Sequence, residues 1–251
     1  MNALKSIYLN VSFYLLFLLF TAIYIPLAIF VIFFLSLFSS KRSSMKRLRF
    51  AISWYGFIIV SVLPFPLVRI QYRDYFKNNV SGPYIFVCNH RSFSDGFLVS
   101  KPCISSEAIQ VVNTWPFSIP VIGFFAKLAG YPSVNEMPFE QFSKRVTELL
   151  DKGISIVAFP EGTRSGGKKI NQFYSSIFRV ALKAHYPIVP ICISGNEHIP
   201  SRDTLLLRPG LIKIHKMPAL EWTDYKHMNA FKLKNKIRNI IACELDVIER
   251  A

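Results

Sequence analysis

The chain has 251 residues, 51% of them hydrophobic, and a formal net charge of +15. That length suits one catalytic-sized domain plus a short accessory segment, and the apolar excess is concentrated before residue 70, leaving enough chain beyond it for one core. No zinc-finger spacing, RNA-binding aromatic signature or helix-turn-helix accompanies the positive charge, so nucleic acid is set aside in favour of anionic lipid headgroups beside a hydrophobic anchor.

Residues 7–38 are almost wholly apolar, interrupted by Asn10, Ser12, Thr21, Pro26 and Ser36. A helix crosses a bilayer core with about 20 apolar residues, so the stretch exceeds one span. It is too long for a cleaved leader and is expected to stay in the protein. A basic knot of Lys41, Arg42, Lys46, Arg47 and Arg49 follows. Then comes a second apolar stretch, residues 50–70, with Trp54 and Tyr55 near its start and Pro64 and Pro66 near its end. Two readings stay open. One is a long tilted or kinked helix followed by a re-entrant or interfacial one, which keeps the rest of the chain on the side of the knot. The other is an ordinary two-span hairpin. The expected division is 1–72 for membrane anchoring and 73–251 for the globular domain.

From residue 83 onward strand-like and helix-like runs alternate. Short apolar runs at 84–88, 109–112, 154–159, 188–194 and 211–215 read as strands. Helical phasing appears at 92–99, at 139–150 with Gly153 at its end, at 173–184, and at 231–248 with Phe231, Ile237, Ile240, Ile241, Leu245 and Ile248 on one face. The alternation predicts an α/β fold with a mixed, mostly parallel sheet flanked by helices, behind an N-terminal membrane-embedded helical motif. Residues 113–138, rich in proline and aromatics, form the longest irregular region and a candidate place for substrate contacts. The four cysteines, Cys88, Cys103, Cys192 and Cys243, make no Cys-x-x-Cys pair and have no histidine cluster beside them. That pattern argues for reduced thiols in a cytosol-facing domain rather than a metal site or a disulfide framework.

Two segments carry chemistry. Asn89-His90-Arg91-Ser92-Phe93-Ser94-Asp95 sets a histidine at the end of an expected strand and an aspartate in the first turn of an expected helix. A carboxylate so placed can accept a hydrogen bond from one imidazole nitrogen, fix the tautomer and leave the other nitrogen free to take a proton. It also stabilises the imidazolium that forms, with no need of a serine nucleophile. The plainer alternative is a helix cap, because Ser92 and Asp95 have capping-box spacing and His90 is then a turn residue. Phe159-Pro160-Glu161-Gly162-Thr163-Arg164-Ser165 follows a buried strand, and Gly166-Gly167-Lys168-Lys169 extends it as a basic loop. Backbone N–H groups, a hydroxyl and a guanidinium in such a loop can hold an anion, and arginine can grip a phosphate through two parallel bonds. The alternative is a solvated strand-to-helix loop carrying ordinary charges.

Taken together, the two segments resemble the signature pair of the glycerolipid acyltransferases, and the chain is similar to the 1-acylglycerol-3-phosphate (lysophosphatidic acid) acyltransferase type. The second motif is intact throughout, residues 188–193 with internal Pro190 look like a further family strand, and the resemblance covers roughly residues 80–215. It implies that His90 is the base that deprotonates an acceptor hydroxyl, that Asp95 orients and charge-balances it, and that Glu161, Gly162, Thr163 and Arg164 bind the acceptor, with Arg164 on its phosphate. The hydroxyl then attacks the thioester directly, and the lack of a Gly-x-Ser-x-Gly elbow agrees with that. The resemblance implies no metal and no cofactor beyond a co-substrate, acyl-CoA or acyl-carrier protein. The implied partners are membrane lipids and a lysophospholipid or other lipid acceptor, and the implied place is a membrane with the catalytic domain facing the cytoplasm. Phe124, Phe125 and the strand around Pro190 are candidates for an apolar acyl groove. Two departures stand out. Glu136 occupies the place of an arginine in the Gly130 block, and Tyr174 and Ser176 stand where the family carries lysine and glycine; Lys168, Lys169 and Arg179 are candidates to compensate. The departures bear on the acceptor more than on the reaction type; lysophosphatidate remains the default acceptor, giving phosphatidate in phospholipid biosynthesis. The same chemistry on an ornithine-lipid or aryl-polyene-type acceptor, a lipid hydrolase, and a non-catalytic lipid-binding relative are the alternatives.

Overall fold

The uninterrupted apolar runs of the C-terminal part become strands buried on both faces, as expected of a sheet with helices on either side. The computed structural model describes residues 3–76, 81–135, 137–166, 169–197, 199–200 and 205–250; Glu136 and Lys168, two of the positions weighed above, lie outside them. Two helices come first, α1 (Ala3–Ser36) and α2 (Lys41–Ser61). The α/β part follows as β1 (Val68–Asp74), β2 (Ile85–Cys88), α3 (Asp95–Leu98), α4 (Ser100–Cys103), β3 (Ala108–Gln110), α5 (Ile122–Ala129), α6 (Phe139–Asp151), β4 (Ser155–Ala158), α7 (Ser176–Ala184), β5 (Ile188–Ser194), β6 (Gly210–Lys216), α8 (Trp222–Tyr225) and α9 (Ala230–Arg250).

The strands form one six-stranded sheet in the order β1-β6-β5-β2-β4-β3. All neighbours are parallel except β5 and β6. Side chains alternate across it. Ile85, Val87, Ile156, Ala158, Ile188 and Cys192 face α6, α7 and α9. Phe86, Cys88, Val157, Val189, Ile191 and Ile193 face α3, α4 and the two N-terminal helices. The last helix seals the first face with a stripe of Leu233, Ile237, Ile241, Leu245 and Ile248, each worth about 1.5–3 kcal/mol when fully buried. Leu233, not Phe231, begins that stripe, and Phe231 is exposed.

Three expectations are corrected by the tertiary pairing. Residues 68–72, expected with the membrane segment, belong to β1, which pairs in parallel with β6 from Val68↔Gly210 to Asp74↔Lys216. The expected boundary at 72 therefore falls inside a strand. Val68, Ile70 and Tyr72 alternate with the exposed Arg69, Gln71 and Arg73, a period of two that average hydropathy conceals. The irregular region contains a 3-10 turn (Trp115–Ser118) and α5, which ends at Gly130 with φ +80. The helix expected from Phe173 starts at Ser176, and the loop before it turns Phe173 into the core.

The N-terminal pair also differs from a plain anchor. α1 is long and apolar enough to cross a membrane by length and composition. It packs on α2 through Thr21 Oγ1 and the Tyr55 hydroxyl at 2.9 Å and through the Tyr24 hydroxyl, which donates to Ala51 O at 2.8 Å. The basic knot is not a loop but the first turns of α2. Arg49 is buried there against Glu107 at 2.5 Å, and Arg42 donates to Lys152 O. Two cations of the knot thus dock α2 on the α/β domain instead of meeting headgroups. At the other end of the pair, buried Asn10 donates to Leu207 O at 2.9 Å and accepts from Leu207 N at 2.8 Å.

Candidate active site

β2 and β4 are adjacent and parallel, with Val87 paired to Ala158. The two chemical segments therefore leave the sheet at the same edge, outside the carboxyl ends of neighbouring strands, where open α/β sheets form their sites. Backbone bonds lock them together. His90 N donates to Glu161 Oε1 at 2.6 Å, while Ser165 N and Oγ donate to His90 O at 2.8 and 3.1 Å.

His90 Nδ1 lies 2.7 Å from Asp95 Oδ2. The same oxygen accepts from Arg91 N at 2.6 Å and Ser92 N at 2.8 Å, and Oδ1 accepts from Asn196 Nδ2. Asp95 is fully buried, so these charge-assisted bonds satisfy a carboxylate with no access to water. With Nδ1 donating to Asp95, the basic nitrogen of the ring is Nε2. The ring is tilted on Phe159 with centroids 4.8 Å apart, and His90 lines a cavity of about 630 Å³. One bond of the Ser92–Asp95 capping box is present, from Ser92 N to Asp95 Oδ2, but the same carboxylate also holds His90 Nδ1, Arg91 N and Asn196, so capping is only part of its task.

The flanking residues of this segment turn away from the cavity. Asn89 Nδ2 donates to Ile193 O and its Oδ1 accepts from Ile193 N, both at 2.8 Å, extending the β2–β5 pairing by a side chain. Arg91 is 1% exposed and meets Glu249 of α9 at 2.7 Å and Glu197 at 3.1 Å on the opposite side.

The second segment divides into a hidden part and an open part. Glu161 is buried and accepts from the backbone of His90 and, at 2.8 Å, of Asn171. It braces the loop and is not among the residues around the cavity. Burial lifts its carboxyl above the usual range, partly offset by those backbone bonds. Gly162 holds φ +70 beneath Tyr174, where an added Cβ would sit 2.7 Å from the ring. Thr163 is exposed, Arg164 is half-buried, and both line the cavity beside His90. Arg164 has no carboxylate partner among the described residues and stands at the mouth of the cavity. Of the residues considered as further cations, Arg179 is engaged on the Phe139 ring at 3.7 Å and Lys169 is exposed.

Behind the mouth the cavity is apolar. It runs between Tyr24, Ala28 and Ile32 of α1, Leu48 and Ile52 of α2, and Phe125 of α5. Phe125 is thus placed as an apolar groove requires, but Phe124 points outward, exposed, and Pro190 is enclosed in β5. Among the described residues no group of three or more His, Cys, Asp or Glu is arranged to hold a metal ion. Asn196 was not singled out from the sequence. It follows β5 in a turn where Gly195 holds φ +83 and a Cβ would lie 2.2 Å from Leu211 O. A Gly-Asn pair closing a buried strand beside the histidine strand was the available signal.

Comparison with known proteins identifies the family. A family model described as Acyltransferase matches residues 68–194. A chloroplast 1-acyl-sn-glycerol-3-phosphate acyltransferase of Brassica napus is 34% identical over 163 residues, covering 62% of this chain and 46% of that protein. The chain therefore spans about half the length of such chloroplast relatives. The Escherichia coli protein of the same name is 22% identical over 203 residues, covering 79% of this chain and 82% of its own. A crystal structure of the 1-acyl-sn-glycerophosphate acyltransferase of Thermotoga maritima superposes with a TM-score of 0.78 at 18% identity, over 100% of this chain and 99% of that one.

Proposed function

Because the chain belongs to the Acyltransferase family, whose model matches half of it, we propose that it is an O-acyltransferase that moves a fatty acyl group from a thioester to a lipid hydroxyl. The acceptor of this reading is 1-acylglycerol-3-phosphate and the product phosphatidate, after the names of its relatives. The donor is acyl-CoA or acyl-carrier protein. The observation that carries the reading is one arrangement: the His90–Asp95 pair, at 2.7 Å, opens onto a cavity with Arg164, which has no carboxylate partner among the described residues, at its mouth and apolar helices behind.

The chemistry follows from that arrangement. The acyl chain lies in the apolar cavity and brings its thioester carbonyl to His90. The acceptor phosphate rests on Arg164, with the Thr163 hydroxyl and adjacent loop N–H groups available to it. His90 Nε2 takes the proton of the acceptor hydroxyl as its oxygen bonds to the carbonyl carbon. The buried Asp95 carboxylate stabilises the imidazolium. The carbon–sulfur bond then breaks, and the imidazolium returns its proton to the leaving thiolate. No acyl-enzyme forms.

The placement of α1 supports a membrane setting for this reaction. At 34 residues it is roughly 51 Å long, against a bilayer core of about 30 Å. Yet Asn10 near its start is bonded to Leu207, and Arg42, just past its end, is bonded to Lys152, both on the same α/β domain. A helix tied to one domain near its start and, through the first turn of α2, just past its end does not put those ends on opposite sides of a membrane. In this reading α1 lies along the cytoplasmic leaflet with its exposed apolar side in lipid, and the cavity between α1 and α2 takes its chains from there. The test is product analysis: purified protein given mixed lysolipids and an isotopically labelled acyl thioester yields labelled phosphatidate by mass spectrometry. Labelled free fatty acid without any acylated lipid defeats the reading.

A further inference from the structure

We propose that the loop carrying Leu205 and Leu206, together with the α2–β1 turn around Phe65, is a second membrane-contact surface, which inserts beside the N-terminal end of α1 into a bilayer containing anionic lipids. Leu205 is 71% exposed, Leu206 57% and Phe65 64%, three large apolar side chains at one edge of the domain. They are there by construction. The Tyr14 hydroxyl donates to Leu205 O, Asn10 bonds Leu207 in both directions, and Gly210 N donates to Leu67 O at 3.0 Å. Leu207 itself is buried in the core with Leu9 and Phe13. The two leucines are thus held out next to α1 by a neighbour anchored in the interior, which is unlike a loose loop with scattered apolar residues.

The occupant is argued from continuity and charge. The exposed Tyr8, Val11, Leu15 and Leu18 of α1 continue the same apolar surface. Lys5, Arg69 and Arg208 are exposed around it, the pattern of an apolar wedge with cations at headgroup level. The proposal rests on the reading of α1 as lying in one leaflet, and it adds that the domain's own edge, not only its helical pair, sets the depth of the mouth.

The experiment uses the full chain in vesicles of phosphatidylethanolamine and phosphatidylglycerol doped with nitroxide-labelled lipids. An environment-sensitive thiol dye is placed at Leu206→Cys in a Cys243→Ser background. Cys88, Cys103 and Cys192 are buried, and native Cys243, exposed on α9, reports the solvent side in the unmutated protein. The dye at 206 is expected to shift to the blue and to be quenched several-fold more than the dye at Cys243. Equal spectra and equal quenching at the two sites overturn the proposal. So does a blue shift at 206 that ignores the nitroxide lipids but grows with protein concentration, since a second copy then covers the surface. Quenching needs no turnover, so the acyltransferase reading can fail without affecting this result. In a functional arm, Leu205→Asp with Leu206→Asp lowers transfer to vesicle-borne acceptor by about tenfold or more, from the apolar area lost, and leaves transfer to detergent-dispersed acceptor unchanged. Equal loss in both formats would mean damage to the domain and would also overturn it.

Discussion

The two walls of the mouth are built on opposite principles. On one side, both Asp95 oxygens are occupied by His90, two backbone N–H groups and Asn196, and Asn89 and Arg91 are pinned to β5 and α9. On the other side, Arg164 faces the cavity without a carboxylate partner among the described residues, and Thr163 is exposed. The first wall holds a proton-transfer pair in fixed geometry before any substrate arrives, which is how preorganised groups lower a barrier. The second leaves its charge for the ligand to neutralise. The contrast teaches that motif residues divide by partner: those satisfied inside the protein set geometry, and those left open set affinity. Glu161 sits in the second motif but belongs to the first kind, because both of its oxygens are taken by backbone.

Variants at the fixed wall should lower turnover, and variants at the open wall should weaken acceptor binding. The largest effect is expected for His90→Ala, which removes the base and should cut turnover by about 10⁴-fold with folding and membrane association retained. Near-normal transfer would break the assignment. Asp95→Asn is next, on the order of 10³-fold in kcat, because an amide presents a donor where Nδ1 or a backbone N–H must donate. Arg164→Ala should act differently, raising KM for a phosphate-bearing acceptor by about 10- to 100-fold with a smaller change in kcat, the worth of a hydrogen bond to a charged group. A pure kcat loss there would erase the distinction between the walls. Asn196→Ala should lower kcat by about tenfold while sparing KM, since its amide donates to Asp95 and it does not line the cavity. The smallest effect on chemistry is expected for Glu161→Gln, read instead by thermal unfolding. The amide cannot accept from both His90 N and Asn171 N, so about 1–3 kcal/mol of stability is lost near neutral pH.

Glu161 also gives a pH signature. Burial lifts its carboxyl, so the folded chain binds that proton more tightly than the unfolded chain does. Its contribution to stability is then fully present below the ordinary carboxylate range and falls as pH rises through the lifted value. Unfolding measured across that window should slope downward in the native protein, and this component of the slope should vanish in Glu161→Gln. A persisting slope would assign it to another group.

Much of the fold was legible because its signals are local. The buried strands at 84–88, 154–159 and 188–194 are runs of β-branched and aromatic residues bounded by turn residues, and β2, β4 and β5 occupy them. β1 is concealed in the sequence because its alternation follows directly on an apolar helix and a proline pair, so hydropathy blends it with its neighbour. α5 was hidden by the prolines around it and by its length of 8 residues. Asn196 has only the Gly-Asn pair at the end of β5 as a local sign, and its role depends on a partner, Asp95, far off in sequence. The cations of the knot looked alike in sequence, and only the position of Glu107 separates Arg49, buried in an ion pair, from the exposed Lys41.

The sequence by itself determined the chemistry on offer: a histidine and an aspartate at a strand end, an arginine in a glycine-turned loop, a long apolar helix and a strand–helix alternation that allows a parallel sheet. These follow from residue type and spacing along the chain. Only the tertiary structure decided that the two motifs share one mouth, because that depends on β2 choosing β4 as its parallel neighbour. It alone decided that Glu161 and Arg91 turn inward while Arg164 lines the mouth, and that the start of α1 and the start of α2 meet the same domain. The physical reason is that a side chain's task depends on whether a partner desolvates and satisfies it, and such partners come from distant parts of the chain.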